Sequence, residues 1–174
     1  MTGPKSSLLL PPADLPRLAR RGAELAAALG VRCALVGGVA MHAYGLVRAT
    51  KAVDFAVTAE GASVLEAALC ARGETITPLR IGGVSWSGDQ GVVDYIDRRF
   101  GPTALFVEAL DEAHRLASSV LADGFPVTVV SLEHLAALKM VGARPRDDAD
   151  LDHLLRRADL DYAAGRGIVL RHLG

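Results

Sequence analysis

The 174-residue sequence carries no excess of charge of either sign: 19 Lys and Arg stand against 20 Asp and Glu, a formal net charge of −1. Without a global field the chain is not built to hold a polyanion by bulk charge, and any such partner must be recognised by a local patch. Long apolar runs are missing near the N-terminus, where Leu8 to Leu10 stop at Pro11 and Pro12. Three leucines are too few for a signal-peptide core and far too few to span a bilayer, so the expectation is a cytoplasmic protein. There are 2 cysteines, Cys33 and Cys70, with no C-x-x-C spacing, and both are expected to be reduced core thiols. The 5 histidines form no i, i+4 pair, which argues against a zinc site. No serine lies in G-x-S-x-G, and the glycine pair at Gly37-Gly38 is not part of a G-x-G-x-x-G fingerprint, so neither a hydrolase elbow nor a dinucleotide-binding loop is supported.

What is present is a composition of 51% hydrophobic and 22% charged residues, ordinary for a globular protein, in a length that fits one domain over 1–174. Asp14 is placed to cap a helix with apolar positions Leu15, Leu18, Ala23, Leu25, Ala26 and Leu29, stopped by Gly30. Cys33 to Val36 then reads as a short buried strand that Gly37-Gly38 turns into a second helix ending near Gly45. Val53 to Val57 reads as a strand and Ala62 to Ala71 as a helix. Strands follow at Thr75 to Ile81, Val84 to Ser87 and Gly91 to Ile96, and Pro78 restricts the first of them to a sheet edge. Leu105 to Leu116 is a helix, and Ser119 to Leu121 pairs with Pro126 to Val130 around Asp123-Gly124. Ser131 caps a helix that ends at Arg144-Pro145, and further helices run from about Asp147 to Arg157 and through the C-terminal segment. The expected class is α/β, in the α+β sense, with an N-terminal helix over 1–30, a sheet-rich core over 31–130 and C-terminal helices over 131–174.

One strand carries a chemical anomaly. Val53, Phe55 and Val57 share one face, while Asp54 shares the other with Ala52 and Ala56. A carboxylate on an alanine-lined face needs water or a partner, since an unpaired buried charge costs several kcal/mol or neutralises. Arg48 and Lys51 are candidate salt-bridge partners. Trp86 and Tyr95 could stack on a base, although strand aromatics ordinarily serve packing. Lys139 falls on an amphipathic helix, where a solvated or snorkelling lysine is the default. Arg144 is expected to pair with Asp147 or Asp150.

Gly37-Gly38, Gly45, Arg48 and Thr50, followed by the strand of Asp54, resemble the nucleotidyltransferase superfamily that includes polymerase β and the small nucleotidyltransferases of bacterial toxin–antitoxin systems. The family pattern Gly-x-x-Arg-x-Thr-x-Asp-x-Asp is matched except at its first Asp, where this chain has Ala52. The segment SLEHLAALKMVGARPRDDADLDHLL resembles the family's Ser-x-x-x-Leu-x-x-x-Lys-x-x-x-x-Arg-x-x-Asp-x-x-Asp helix pair. The resemblance covers roughly residues 31 to 157. It implies a mixed, twisted sheet flanked by helices. It also implies nucleotide contacts at Gly37, Gly38, Arg48, Thr50 and Lys139, and Mg2+ held by Asp54 and by Asp94 as the third family acid. In that family, metal ions align an acceptor hydroxyl on RNA, protein or a small molecule with the α-phosphate of a nucleoside triphosphate. Ala52 cannot ligate, so weak metal binding and a rate lowered by orders of magnitude are expected unless Glu60 or Asp89 enters the site. The alternative is an inactive binding or regulatory module, such as one partner of a toxin–antitoxin pair.

Overall fold

The computed structural model describes residues 13–174, so the Leu8–Leu10 run lies outside the described residues. Asp14 stands at the N-cap of α1 (Leu15–Ala28), but its backbone is already helical and its side chain makes no capping bond. After α1, Gly30 takes φ +68, a left-handed stop that a side chain would disfavour. The chain continues through β1 (Ala34–Val36), α2 (Gly37–Ala43), β2 (Val53–Ala56) and α3 (Ala59–Ala71). It then forms β3 (Thr75–Pro78), β4 (Gly83–Gly88) and β5 (Gly91–Ile96). The remainder is α4 (Thr103–Arg115), the hairpin β6 (Ser119–Ala122) and β7 (Phe125–Thr128), and three helices, α5 (Leu132–Gly142), α6 (Pro145–Leu155) and α7 (Tyr162–Leu173).

Among the boundaries that differ from the sequence expectation, three have a clear local reason. Helix α3 starts three residues before Ala62 because Thr58 caps it, its hydroxyl accepting from the Gly61 amide at 3.1 Å. Strand β3 ends at Pro78, after which Leu79 to Gly82 turn the chain, with Gly82 and Gly83 at φ +98 and +106. Helix α6 begins at Pro145, whose fixed φ suits the first helical position, while Arg144 stays extended.

The main sheet has the order β1-β2-β5-β4-β3, which puts β3 at an edge, as Pro78 requires. It is mixed: β2 and β5 run parallel and the other neighbours antiparallel. The parallel register sets Val53 beside Val93, Asp54 beside Asp94 and Phe55 beside Tyr95. One face is therefore apolar. Phe55 and Tyr95 stack there at 5.7 Å between ring centroids, and α1 lies against them closely enough that a Cβ on Gly22 would sit 2.6 Å from the Phe55 ring. The Tyr95 hydroxyl donates to the Gly22 carbonyl at 2.8 Å, so Tyr95 is a packing residue and not a base platform. Trp86 is buried too, donating to Glu74 under the Arg21 guanidinium. The opposite face of β2 and β5 carries Ala52, Asp54 and Asp94 toward α5 and α6.

Cys33 is buried, but Cys70 is exposed, which corrects the expectation of two core thiols. On a helix, successive residues are turned by about 100°, and Leu69 takes the inward position that Cys70 therefore cannot. No helix among the described residues is long and apolar enough to cross a membrane.

Candidate functional site

The site begins at the turn between β1 and α2. Val36 is extended, and Gly37 then takes φ +65, a conformation that L side chains rarely adopt. A Cβ on Gly37 would also lie 2.1 Å from Asp54 Oδ2, so the turn and the carboxylate are in direct contact. Gly37→Ala is expected to destabilise the fold by about 1–3 kcal/mol through both effects, read as a lower urea midpoint at unchanged slope. An unchanged midpoint would mean both that Asp54 moves aside and that the turn relaxes away from φ +65. Gly38 is buried behind Thr50, whose Oγ1 would be 3.0 Å from an added Cβ, so its smallness serves helix–loop packing. Thr50 itself is buried, its hydroxyl donating to the Ala52 carbonyl at 3.4 Å.

Beyond this turn lies a cleft of about 280 Å³. Ala52, Asp54 and Asp94 form one part of its lining, and α5 and α6 contribute Lys139, Arg144, Arg146 and Asp147. Asp54 is partly buried, and its pKa is pushed up to about 7, first by burial and then by the neighbouring Asp94, with Lys139, Arg144 and Arg146 opposing the rise. At neutral pH this carboxylate is therefore poised between its two protonation states, as groups with chemical roles often are.

Behind the cleft wall lies a buried charge network. Lys139 Nζ donates to Asp147 Oδ1 at 3.1 Å and lies 2.5 Å from Asp150 Oδ2. Arg48 binds Asp150 with both arms, Nε to Oδ1 at 3.1 Å and Nη2 to Oδ2 at 2.7 Å. Arg144 closes on Asp147 through Nε at 2.6 Å. Burial pulls the Asp147 and Asp150 pKa values upward, but the hydrogen bonds from Arg144, Arg48 and Lys139 outweigh it and hold both below the usual carboxylate range. Arg48 is thus bound to α6 and not to Asp54, while Lys139 keeps contact with the cleft from inside an ion pair.

The structure brings Gly37, Thr50, Asp54, Asp94 and Lys139 to one cleft and sets Gly38 and Arg48 behind it. Glu60 in the first turn of α3 and Asp89 at the β4–β5 turn are exposed and do not line the cleft, so neither supplies the missing acid. Among the described residues no group of three or more His, Cys, Asp or Glu side chains is arranged to hold a metal ion. Asp54 and Asp94 with Ala52 do not fit a two-ion centre, since Ala52 has no donor atom. Arg98 and Arg146, which sequence reasoning missed, also line the cleft, as does Lys51. Lys51 was visible as a salt-bridge candidate, but Asp97-Arg98-Arg99 reads as a charged loop, and only Asp97 and Arg99 pair with each other.

No protein-family model matches the sequence, and no curated protein matches it. Solved structures do match by shape. The antibiotic-resistance factor ANT(2'')-Ia, in a solution structure, superposes with a TM-score of 0.67 at 16% identity, covering 92% of each chain. An antigenic nucleotidyltransferase-like protein from Paracoccidioides brasiliensis gives 0.59 at 15% identity, over 85% of this chain and 77% of that one. The lincosamide antibiotic adenylyltransferase LnuA, bound to lincomycin, gives 0.55 at 15% identity, over 86% of this chain and 99% of that one. With the mixed sheet and its flanking helices, these likenesses establish the nucleotidyltransferase fold.

Proposed function

We propose that the cleft between the β2–β5 face and α5–α6 binds a nucleoside triphosphate, with Mg2+ held weakly by Asp54 and Asp94. The observation that carries this reading is the parallel register that sets those two carboxylates side by side on a cleft otherwise rich in arginine and lysine. Gly37 admits the ligand close to Asp54. Lys139 would meet a phosphate by exchanging one of its aspartate partners, and Arg48 and Thr50 would act indirectly, by fixing the loop between α2 and β2. A bound Mg2+ would supply charge neutralisation between the carboxylates and the phosphates. Transfer of a nucleoside monophosphate to an acceptor hydroxyl at an enzyme-like rate is not expected from this donor set, because Ala52 removes the acid that would complete it. The same residue favours a second reading, a nucleotidyltransferase-fold binding or regulatory module, for instance in a toxin–antitoxin pair. A cytoplasmic location, where nucleoside triphosphates are abundant, suits both.

Calorimetric titration of ATP, GTP, CTP and UTP with and without Mg2+ tests the first reading. At least one nucleotide should give saturable heat that Mg2+ strengthens. Asp54→Ala should remove the magnesium increment, and Ala52→Asp, which adds a carboxylate to the cleft, should enlarge it by about tenfold or more, the scale of one good charge contact. Absence of binding by both the wild type and Ala52→Asp would overturn the nucleotide reading and leave the regulatory module.

A further inference from the structure

Arg98 follows β5 and stands apart from the other cations of the cleft. Arg144 is tied to Asp147, and Lys139 to Asp147 and Asp150. Arg98 joins no ion pair among the described residues, and its Nε is buried without a hydrogen-bond partner among them. Its guanidinium lies over the Phe106 ring at 5.5 Å, a contact that holds the group in place while Nε donates to no partner among the described residues. The backbone is held as firmly. Arg98 sits at φ +53, a left-handed conformation unfavourable for a residue with a side chain, and the chain entering α4 maintains it. Thr103 Oγ1 donates to the Arg98 carbonyl at 2.7 Å and the Gly101 amide does so at 3.0 Å.

Burial and the nearby Arg144 pull the Arg98 pKa below its ordinary value, so the protein does not favour this charge where it stands. A guanidinium nevertheless stays protonated. A part-buried cation with an unused donor, held in a strained conformation, is a site that an anion would complete. The lining as a whole agrees: Lys51, Arg98, Lys139, Arg144 and Arg146 stand against Asp54, Asp94 and Asp147, five cationic against three acidic side chains. Ala52 sharpens the imbalance, since an acid there would repel a phosphate unless metal ions stood between them. Lys51 and Arg146 are exposed on the same cleft and, like Arg98, form no ion pair among the described residues.

We propose that Arg98, with Arg146 and Lys51, forms a phosphate-binding subsite that holds the oligophosphate of a nucleotide without a divalent ion, the guanidinium taking over charge neutralisation that Mg2+ would otherwise supply. This rests on the nucleotide reading of the cleft and goes beyond it in assigning the phosphate contacts and their independence of metal.

Inorganic tripolyphosphate, which carries no base, is the probe, titrated calorimetrically in excess EDTA. Wild-type protein should bind it saturably. Arg98→Gly should weaken binding by about tenfold or more, with Arg98→Lys intermediate, because the planar fork is lost while the charge remains. Glycine at φ +53 relieves the backbone, so the melting temperature of Arg98→Gly should not fall, which separates lost binding from lost folding. Arg146→Ala, at an exposed position, should also weaken binding, whereas Arg20→Ala on α1 should not. Tripolyphosphate binding that requires Mg2+, or that Arg98→Gly leaves intact, overturns the metal-free subsite while the nucleotide reading stands. Failure of tripolyphosphate and of all four nucleotides, with or without Mg2+, overturns both.

Discussion

Lys139→Met should lower the free energy of unfolding by about 3 kcal/mol at pH 7, the lower end of the range for breaking a buried ion pair by removing one partner. Lys139 is 5% exposed, and its partners Asp147 and Asp150 are each 1% exposed, so neither carboxylate can regain water when the ammonium is removed. Arg144 and Arg48 would still hold one carboxylate each, which is why the lower end is expected. Removing all three charges with Lys139→Met, Asp147→Asn and Asp150→Asn should not restore wild-type stability, because Arg48 and Arg144 then lose their counter-charges. Both aspartates have depressed pKa values in the folded state, so their contribution is present above the unfolded value of 3.8 and is lost as pH falls through the folded ones. The gap between wild type and Lys139→Met should therefore narrow below about pH 4. Urea unfolding at pH 7 and at pH 3 reads all of this, and a loss under 1 kcal/mol at pH 7 would show that Lys139 is not the centre of the network.

The network also shows where sequence reasoning stops. The periodicity of Ser131 to Met140 and the dipeptide Arg144-Pro145 place two helices in order, and Arg144 with Asp147 follows from local spacing. The bond between Arg48 and Asp150 joins residues 102 positions apart, and no local pattern distinguishes Asp150 from Asp54 as the partner of Arg48. The carboxylate face was legible for a different reason. Alternation along β2 fixes which side Asp54 takes before any pairing is known, whereas Asp94 entered only through the family resemblance. Their adjacency then depends on parallel pairing of strands separated by a helix and two other strands, a tertiary outcome. Arg98 was invisible because its distinguishing feature is a backbone angle imposed by Thr103 and Gly101, and neither residue type announces it. Cys70 was misplaced because a general burial habit of cysteine outweighed the one-residue rotation from Leu69 that decides its side of α3.

Asp54→Asn should raise stability at pH 8, by about 2–4 kcal/mol, when no divalent cation is present. Folding lifts the Asp54 pKa from 3.8 to about 7, so the folded protein prefers the neutral acid. The stabilising term is fully present below the unfolded value and is lost as pH rises through the folded one, at about 1.4 kcal/mol per pH unit. Above pH 7 the wild type carries the whole penalty of ionising a carboxylate beside Asp94, and the asparagine variant does not. Melting curves in EDTA should accordingly coincide near pH 4, diverge from there to pH 7 and run parallel above it. Mg2+ should shift only the wild type upward at pH 8, because a cation bound at Asp54 and Asp94 reverses the penalty and asparagine forfeits its charge. Equal stability of the two proteins at pH 8 in EDTA would mean that Asp54 is hydrated and its face ordinary surface. Divergence in EDTA that Mg2+ closes would mark Asp54 as a residue the fold tolerates at a loss and a ligand stabilises, which is the signature of a site and not of packing.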